Sequence, residues 1–253
     1  MRLGLAILAA LAGIGPASAE RLVLSLSSNL VTIGSNYTGT RLVAYGIVER
    51  DAQSATRSGA YDVVVTVRGP REALTVRRKD QVGPIWLNRS QLKFVQIPSY
   101  LAVNTTRPVA EFMDAGRRQR FRIGIPAIVD APEFSVDRGQ GGDAFRAALI
   151  RLKERDGLYK EEPRAVTFVT DGFFRSAIPL PATAPVGNYE VEVKLVADGL
   201  VVAHRDASFE LVKTGFEEQI TEAARDRPLT LGLATAGLSL LFGWFASIIF
   251  RRD

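Results

Sequence analysis

Residues 184–203 read APVGNYEVEVKLVADGLVVA. Tyr189, Val191, Val193 and Leu195 fall on one side of an extended chain, and Glu190, Glu192 and Lys194 fall on the other. That period of two is the pattern of a half-buried β-strand. Asp198-Gly199 then supplies two residues that tolerate positive φ, and Leu200–Ala203 resumes an apolar run, so the stretch predicts a hairpin. Ahead of it, Pro185-Val186-Gly187-Asn188 reads as a tight corner.

Working outward, the same reading repeats. A tyrosine entering a strand after a tight corner is a feature of the late strands of immunoglobulin-like sandwiches. On the N-terminal side, Leu22, Leu24 and Leu26 alternate, Leu42–Val48 is a second strand, and Tyr61–Val67 is a β-branched run closed by Arg68-Gly69-Pro70. Ala73–Arg78, Ile85–Leu87 and the pieces around Ile97-Pro98 are further extended segments, with Gly83-Pro84 as a turn. Strands are also predicted at Phe121–Ile125, Val166–Val169, Phe173–Ile178 and Ala207–Leu211. Helical signals are fewer. Pro108 opens a short helix carrying Val109, Phe112 and Met113. Residues 143–156 form an amphipathic helix with Phe145, Leu149 and Leu152 on one face, Gly157 as its C-cap and Leu158 as the contact after it. Its stripe either packs on a sheet or serves as a docking surface.

The two ends suggest a topology. Residues 229–250, LTLGLATAGLSLLFGWFASIIF, carry no charge. A membrane-crossing helix needs about 20 apolar residues, so this stretch predicts a transmembrane helix, followed by a cytoplasmic tail at 251–253. Residues 1–19 have the make-up of a secretory signal peptide with cleavage between Ala19 and Glu20. Thr214-Gly215-Phe216-Glu217 resembles a capping box that would start a stalk helix over 214–228. The divisions expected between these ends are a first β-sandwich region at 20–106, a mixed connector at 107–164 and a second β region at 165–213. The localisation they imply is single-pass in the inner membrane, ectodomain in the periplasm and C-terminus in the cytoplasm.

Composition narrows the chemistry. The chain has no cysteine and one histidine, His204, so thiol catalysis, thiolate metal sites and redox chemistry have no residues to use. His204 reads as a solvent-facing strand residue and not as a catalytic base. No metal-ligand set, cofactor motif or nucleophile arrangement stands out; the expectation is no enzyme and no cofactor. The formal charge of +5 falls to +3 once Arg2, Arg251, Arg252 and Asp253 are set aside, which is weak ground for a nucleic-acid partner. Asn36-Tyr37-Thr38, Asn88-Arg89-Ser90 and Asn104-Thr105-Thr106 match glycosylation sequons only by pattern.

Three groups are left as candidate interaction sites. Arg68, Arg71, Arg77, Arg78 and Lys79 cluster around one hairpin; they fit an anion or partner patch, or a sheet edge protected by charge. Trp86, with Ile85 and Leu87, fits a sandwich core or a recognition groove. Thr235, Ser239, Gly243 and Ser247 recur every four residues as a small-residue stripe along the last helix, suited to packing on another helix.

Taken in order, YDVVVTVRGP (61–70), TVRRKDQVGPIWLN (75–88), SYLAV with TRP (99–108), LPATAPVGNYEVEV (180–193), KTGFE (213–217) and the GWFASIIFRRD ending resemble the alphaproteobacterial family known as "putative transmembrane protein". The resemblance implies an exported domain with a signal peptide and a C-terminal membrane helix. It also implies an accessory role beside permeases for sulfur anions or sulfonates. The expected fold is therefore mainly β, an immunoglobulin-like sandwich ectodomain with a short helical insertion and one C-terminal transmembrane helix. The expected function is a non-enzymatic accessory subunit of an inner-membrane complex, its partners the lipid bilayer and a permease or a second copy of itself. The alternative is a periplasmic module that binds or senses anions through the arginine-rich hairpin.

Overall fold

The computed structural model describes residues 20–34, 38–49, 61–134, 142–213 and 228–249. Signal peptide, stalk helix, capping box and cytoplasmic tail lie outside the described residues. Two compact units are distinguished, one of residues 1–31 and 38–211, the other of 32–37 and 212–253.

The larger unit is mainly β, with three sheets. One has the order β1 (Arg21–Leu26), β3 (Thr40–Glu49), β10 (Phe173–Leu180), β9 (Val166–Thr170). The second runs β2 (Leu30–Ile33), β12 (Leu200–Lys213), β11 (Gly187–Ala197), β4 (Asp62–Arg68), β7 (Leu101–Thr105), β8 (Tyr159–Pro163). The third is the long hairpin of β5 (Arg71–Val82) and β6 (Ile85–Pro98). All pairings given by register are antiparallel except β7 with β8. The two β regions at 20–106 and 165–213 do not stand apart: β3 pairs with β10 and β4 with β11.

The continuous apolar run of β4 follows from burial on both faces, as central strands require. Val63, Val65 and Val67 are buried with residues such as Leu42, Phe174, Val191 and Val193. Val64 joins a second core with Leu101, Phe94 and Leu149, built under the hairpin and four helices. These helices are α1 (Val109–Phe112), α2 (Ala115–Phe121), α3 (Ile125–Val129) and α4 (Gly142–Arg155). Side chains tie the four-stranded sheet to the six-stranded one. Asn104 Nδ2 donates to Ser176 Oγ at 2.9 Å and to Ala177 O at 3.0 Å, and Tyr100 Oη donates to Pro179 O at 2.5 Å.

Local signals in the sequence find their places. Asp198 and Gly199 have φ of 52° and 73° and join β11 to β12. Tyr189 Oη donates to Pro185 O at 2.6 Å, closing the corner ahead of β11. At the end of α4, Leu158 N donates to Lys153 O and Gly157 N to Glu154 O, with Gly157 at φ 72°. That is the Schellman arrangement.

Three expectations are corrected. Phe121–Ile125 is not a strand: Phe121 ends α2, Arg122 caps it in the left-handed region, and Ile125 starts α3. Its apolar residues Phe121, Ile123 and Ile125 reach the second core from the end of one helix, the link after it and the start of the next. Trp86 is not in a core but 64% exposed. The fold class is mainly β with several sheets, but its transmembrane helix is not upheld. The smaller unit's helix, α5, runs Pro228–Ile249, and among the described residues no helix is long and apolar enough to cross a membrane.

Candidate functional site

The arginine-rich group does not form one patch. Gly69-Pro70 turns the chain between β4 and β5, leaving Arg68 and Arg71 at one place and sending Arg77, Arg78 and Lys79 along the hairpin. Arg68 and Arg71 line a cleft of about 470 Å³ with Gln96, Arg122, Glu133, Glu190, Glu192 and Lys194. Its wall is the polar face of β11: the alternation that buries Val191 and Val193 turns Glu190, Glu192 and Lys194 outward.

The ions in this cleft are mostly satisfied by one another. Glu192 accepts from Arg68 Nη2 at 2.7 Å and lies 2.8 Å from Lys194 Nζ. Burial pushes the Glu192 carboxyl up, but the hydrogen bond and charge of Lys194, with Arg68, outweigh it and hold the carboxyl below its ordinary value. Glu133 is held low first by its own backbone amide, then against its partial burial by Arg122, with a contribution from the charge of Arg71. Arg122 forks onto Glu133 through both terminal nitrogens. The cleft therefore favours the ionised form of Glu133 and Glu192. Arg71 is exposed and makes no ion pair of its own among the described residues.

Arg77, Arg78 and Lys79 sit on β5 beside α4, where with Ala144, Phe145, Ala148, Arg151 and Leu152 they flank a groove of about 370 Å³. Among the described residues only Arg78 has an acid partner there, Asp80 at 3.2 Å. Beyond the groove the hairpin carries Ile85, Trp86 and Leu87 at its tip, 54%, 64% and 47% exposed. The sequence held a signal for this. Behind the tip, residues 77–81 (RRKDQ) and 88–91 (NRSQ) are polar or charged on both strands without alternation, and such a pair has no face to bury.

Along α5, Thr235 Oγ1 donates to Gly232 O at 3.0 Å and Ser239 Oγ to Thr235 O at 2.9 Å. The hydroxyls of Thr235 and Ser239 are thus satisfied by their own helix. An added Cβ at Gly243 would meet nothing within 4 Å. The Ser247 side chain, like Ala19, lies outside what is described, whereas Glu20 is buried and accepts from Tyr61 Oη at 2.9 Å. His204 is exposed on β12 opposite Lys194. No group of three or more His, Asp or Glu able to hold a metal occurs among the described residues.

A family model matches residues 21–252. The chain belongs to that family, described as "Putative transmembrane protein (Alph_Pro_TM)". The match covers both β regions, the hairpin and α5. No curated protein and no solved structure matches the chain.

Proposed function

We propose that this chain is a non-enzymatic interaction protein working at the periplasmic face of the inner membrane, as an accessory subunit of a membrane complex. The observation that carries this reading is the surface of α5. Leu238, Leu240, Leu241, Phe242, Trp244 and Phe245 are each more than half exposed on one helix. Apolar surface this continuous needs an apolar environment or a partner to cover it. The inward-bonded hydroxyls of Thr235 and Ser239 suit such cover, since neither leaves a polar group unpaired. The family description supports the membrane setting. A permease for sulfur anions or sulfonates is the partner class that the family resemblance suggests.

The test is affinity purification of the tagged full chain from native membranes in mild detergent. Near-equal recovery of one integral membrane protein, lost on Gly243→Leu with Ser239→Leu, is the expected result. Recovery of the chain alone, with crosslinking unchanged by the same variant, removes the proposal.

A second reading rests on Arg71, the cleft cation without an ion pair among the described residues. An anion would complete its charge balance, and sulfate or a sulfonate is the matching chemistry. Thermal stabilisation by sulfate that disappears in Arg71→Gln supports it; equal stabilisation of both proteins removes it.

A further inference from the structure

The hairpin of β5 and β6 is longer than the fold needs. Its last buried pair is Val76 with Leu92. Arg77–Lys79 then flank α4, and three further residues, 80–82, lead on to the turn, so the tip projects about 10 Å beyond them at 3.3 Å per residue. The tip is closed by a two-residue Gly83-Pro84 turn with Gly83 at φ 60°. Such a turn needs glycine at its first position, and proline at its second stiffens it.

What this arm presents is specific. Its end bears Ile85, Trp86 and Leu87, all largely exposed. Trp86 stands opposite Gln81 and Leu87 opposite Asp80, so apolar side chains leave the tip on both faces. Behind them, residues 77–93 carry Arg77, Arg78, Lys79, Arg89 and Lys93 against the single acid Asp80. Of these cations only Arg78 has an ion-pair partner among the described residues.

We propose that this tip is a membrane-surface contact: Ile85, Trp86 and Leu87 enter the headgroup–acyl boundary of an anionic bilayer, and Arg77, Lys79 and Arg89 rest on its phosphates. Trp is suited to that boundary, with an apolar body and a polar N–H. Interfacial binding draws on buried apolar surface together with attraction between basic residues and anionic lipid, and the tip offers both in that order along its length. A protein partner fits less well. A stable interface buries roughly 800 Å² on each side, far more than three side chains on a two-stranded tip supply. The proposal does not depend on what covers α5.

Trp86 and Trp244 are the two tryptophans of the chain, so Trp244→Phe makes Trp86 the sole reporter. The full chain with that change is added to phosphatidylcholine vesicles with and without phosphatidylglycerol. On the anionic vesicles Trp86 emission moves to the blue and is quenched by lipids brominated near the headgroup end of the acyl chains, and both effects weaken with salt. Each basic side chain near such a surface contributes about fivefold to partition, so Arg77→Gln, Lys79→Gln and Arg89→Gln together cut the Trp86 response on the order of 100-fold. Ile85→Ser with Leu87→Ser, which keeps every charge, abolishes the bromolipid quenching. None of these residues is in a core, so the variants fold. Trp86 emission unchanged by anionic vesicles, or an equal response on neutral ones, overturns the proposal.

Discussion

Asn104 on β7 and Ser176 on β10 share a hydrogen bond of 2.9 Å across the interior between two sheets, and both are at most 1% exposed. Burying two polar side chains is tolerated because each satisfies the other and Asn104 also reaches Ala177 O. Asn104→Leu is expected to cost about 1–3 kcal/mol, since Ser176 Oγ is left without its donor. Adding Ser176→Ala should return part of the loss, because removing both partners is cheaper than removing one. Urea unfolding of the two variants measures it; a double variant no more stable than the single one refutes the account. The same burial removes Asn104 from consideration as a glycosylation site.

Gly46 sits in the middle of β3 opposite Phe174, whose ring lies over it. A Cβ at Gly46 would come 2.1 Å from Phe174 Cζ, and Phe174 is fully buried. Gly46→Ala should therefore destabilise by about 1–3 kcal/mol through overpacking, against the usual gain of replacing a strand glycine. Gly46→Ala with Phe174→Leu should recover part of it. Thermal melts of the two variants against the parent protein decide the matter.

The Glu192 cluster sets a pH dependence. Its carboxyl titrates below the ordinary 4.5 in the folded state, so it binds fewer protons than in the unfolded chain. Its contribution is present in full above that range and is lost as the pH falls through the folded value. The melting temperature is expected to drop on acidification below about pH 4.5. Glu192→Gln should flatten that drop, and Lys194→Met should make it start at higher pH. An acid limb unaltered in Glu192→Gln would show that the cluster contributes nothing.

Tyr189 is fully buried and donates to Pro185 O at 2.6 Å. Tyr189→Phe keeps the ring stacked on Phe209, at 4.9 Å between centroids, and deletes only the hydroxyl. A loss of about 1–3 kcal/mol is expected from the unpaired carbonyl. Amide exchange should quicken at the Pro185–Asn188 corner and not along β4. Uniform quickening would mean the corner has no separate role.

The sequence by itself determined the elements whose cause is local. Alternation in Tyr189–Leu195 marked β11, Asp198-Gly199 its hairpin, Gly157 and Leu158 the end of α4, and the Pro185–Tyr189 spacing the corner. Each is written in adjacent residues, because backbone geometry and period fix it within one or two turns of chain. Only the tertiary structure decided which strands pair. Alternation reports that a face is buried but not against what, and β3 meets β10 more than a hundred residues away. The same limit explains the errors: the apolar spacing at Phe121–Ile125 serves a helix end as readily as a strand, and Trp86 looks like core until the hairpin is seen to outrun it. The run 229–250 shows an apolar composition, yet among the described residues no helix is long and apolar enough to cross a membrane. Charge behaves likewise. Arg68 and Arg77 are nine residues apart in one basic run, and a single turn at Gly69-Pro70 gives the first an ionised cleft and the second an open arm, because the partners that neutralise Arg68 come from β11.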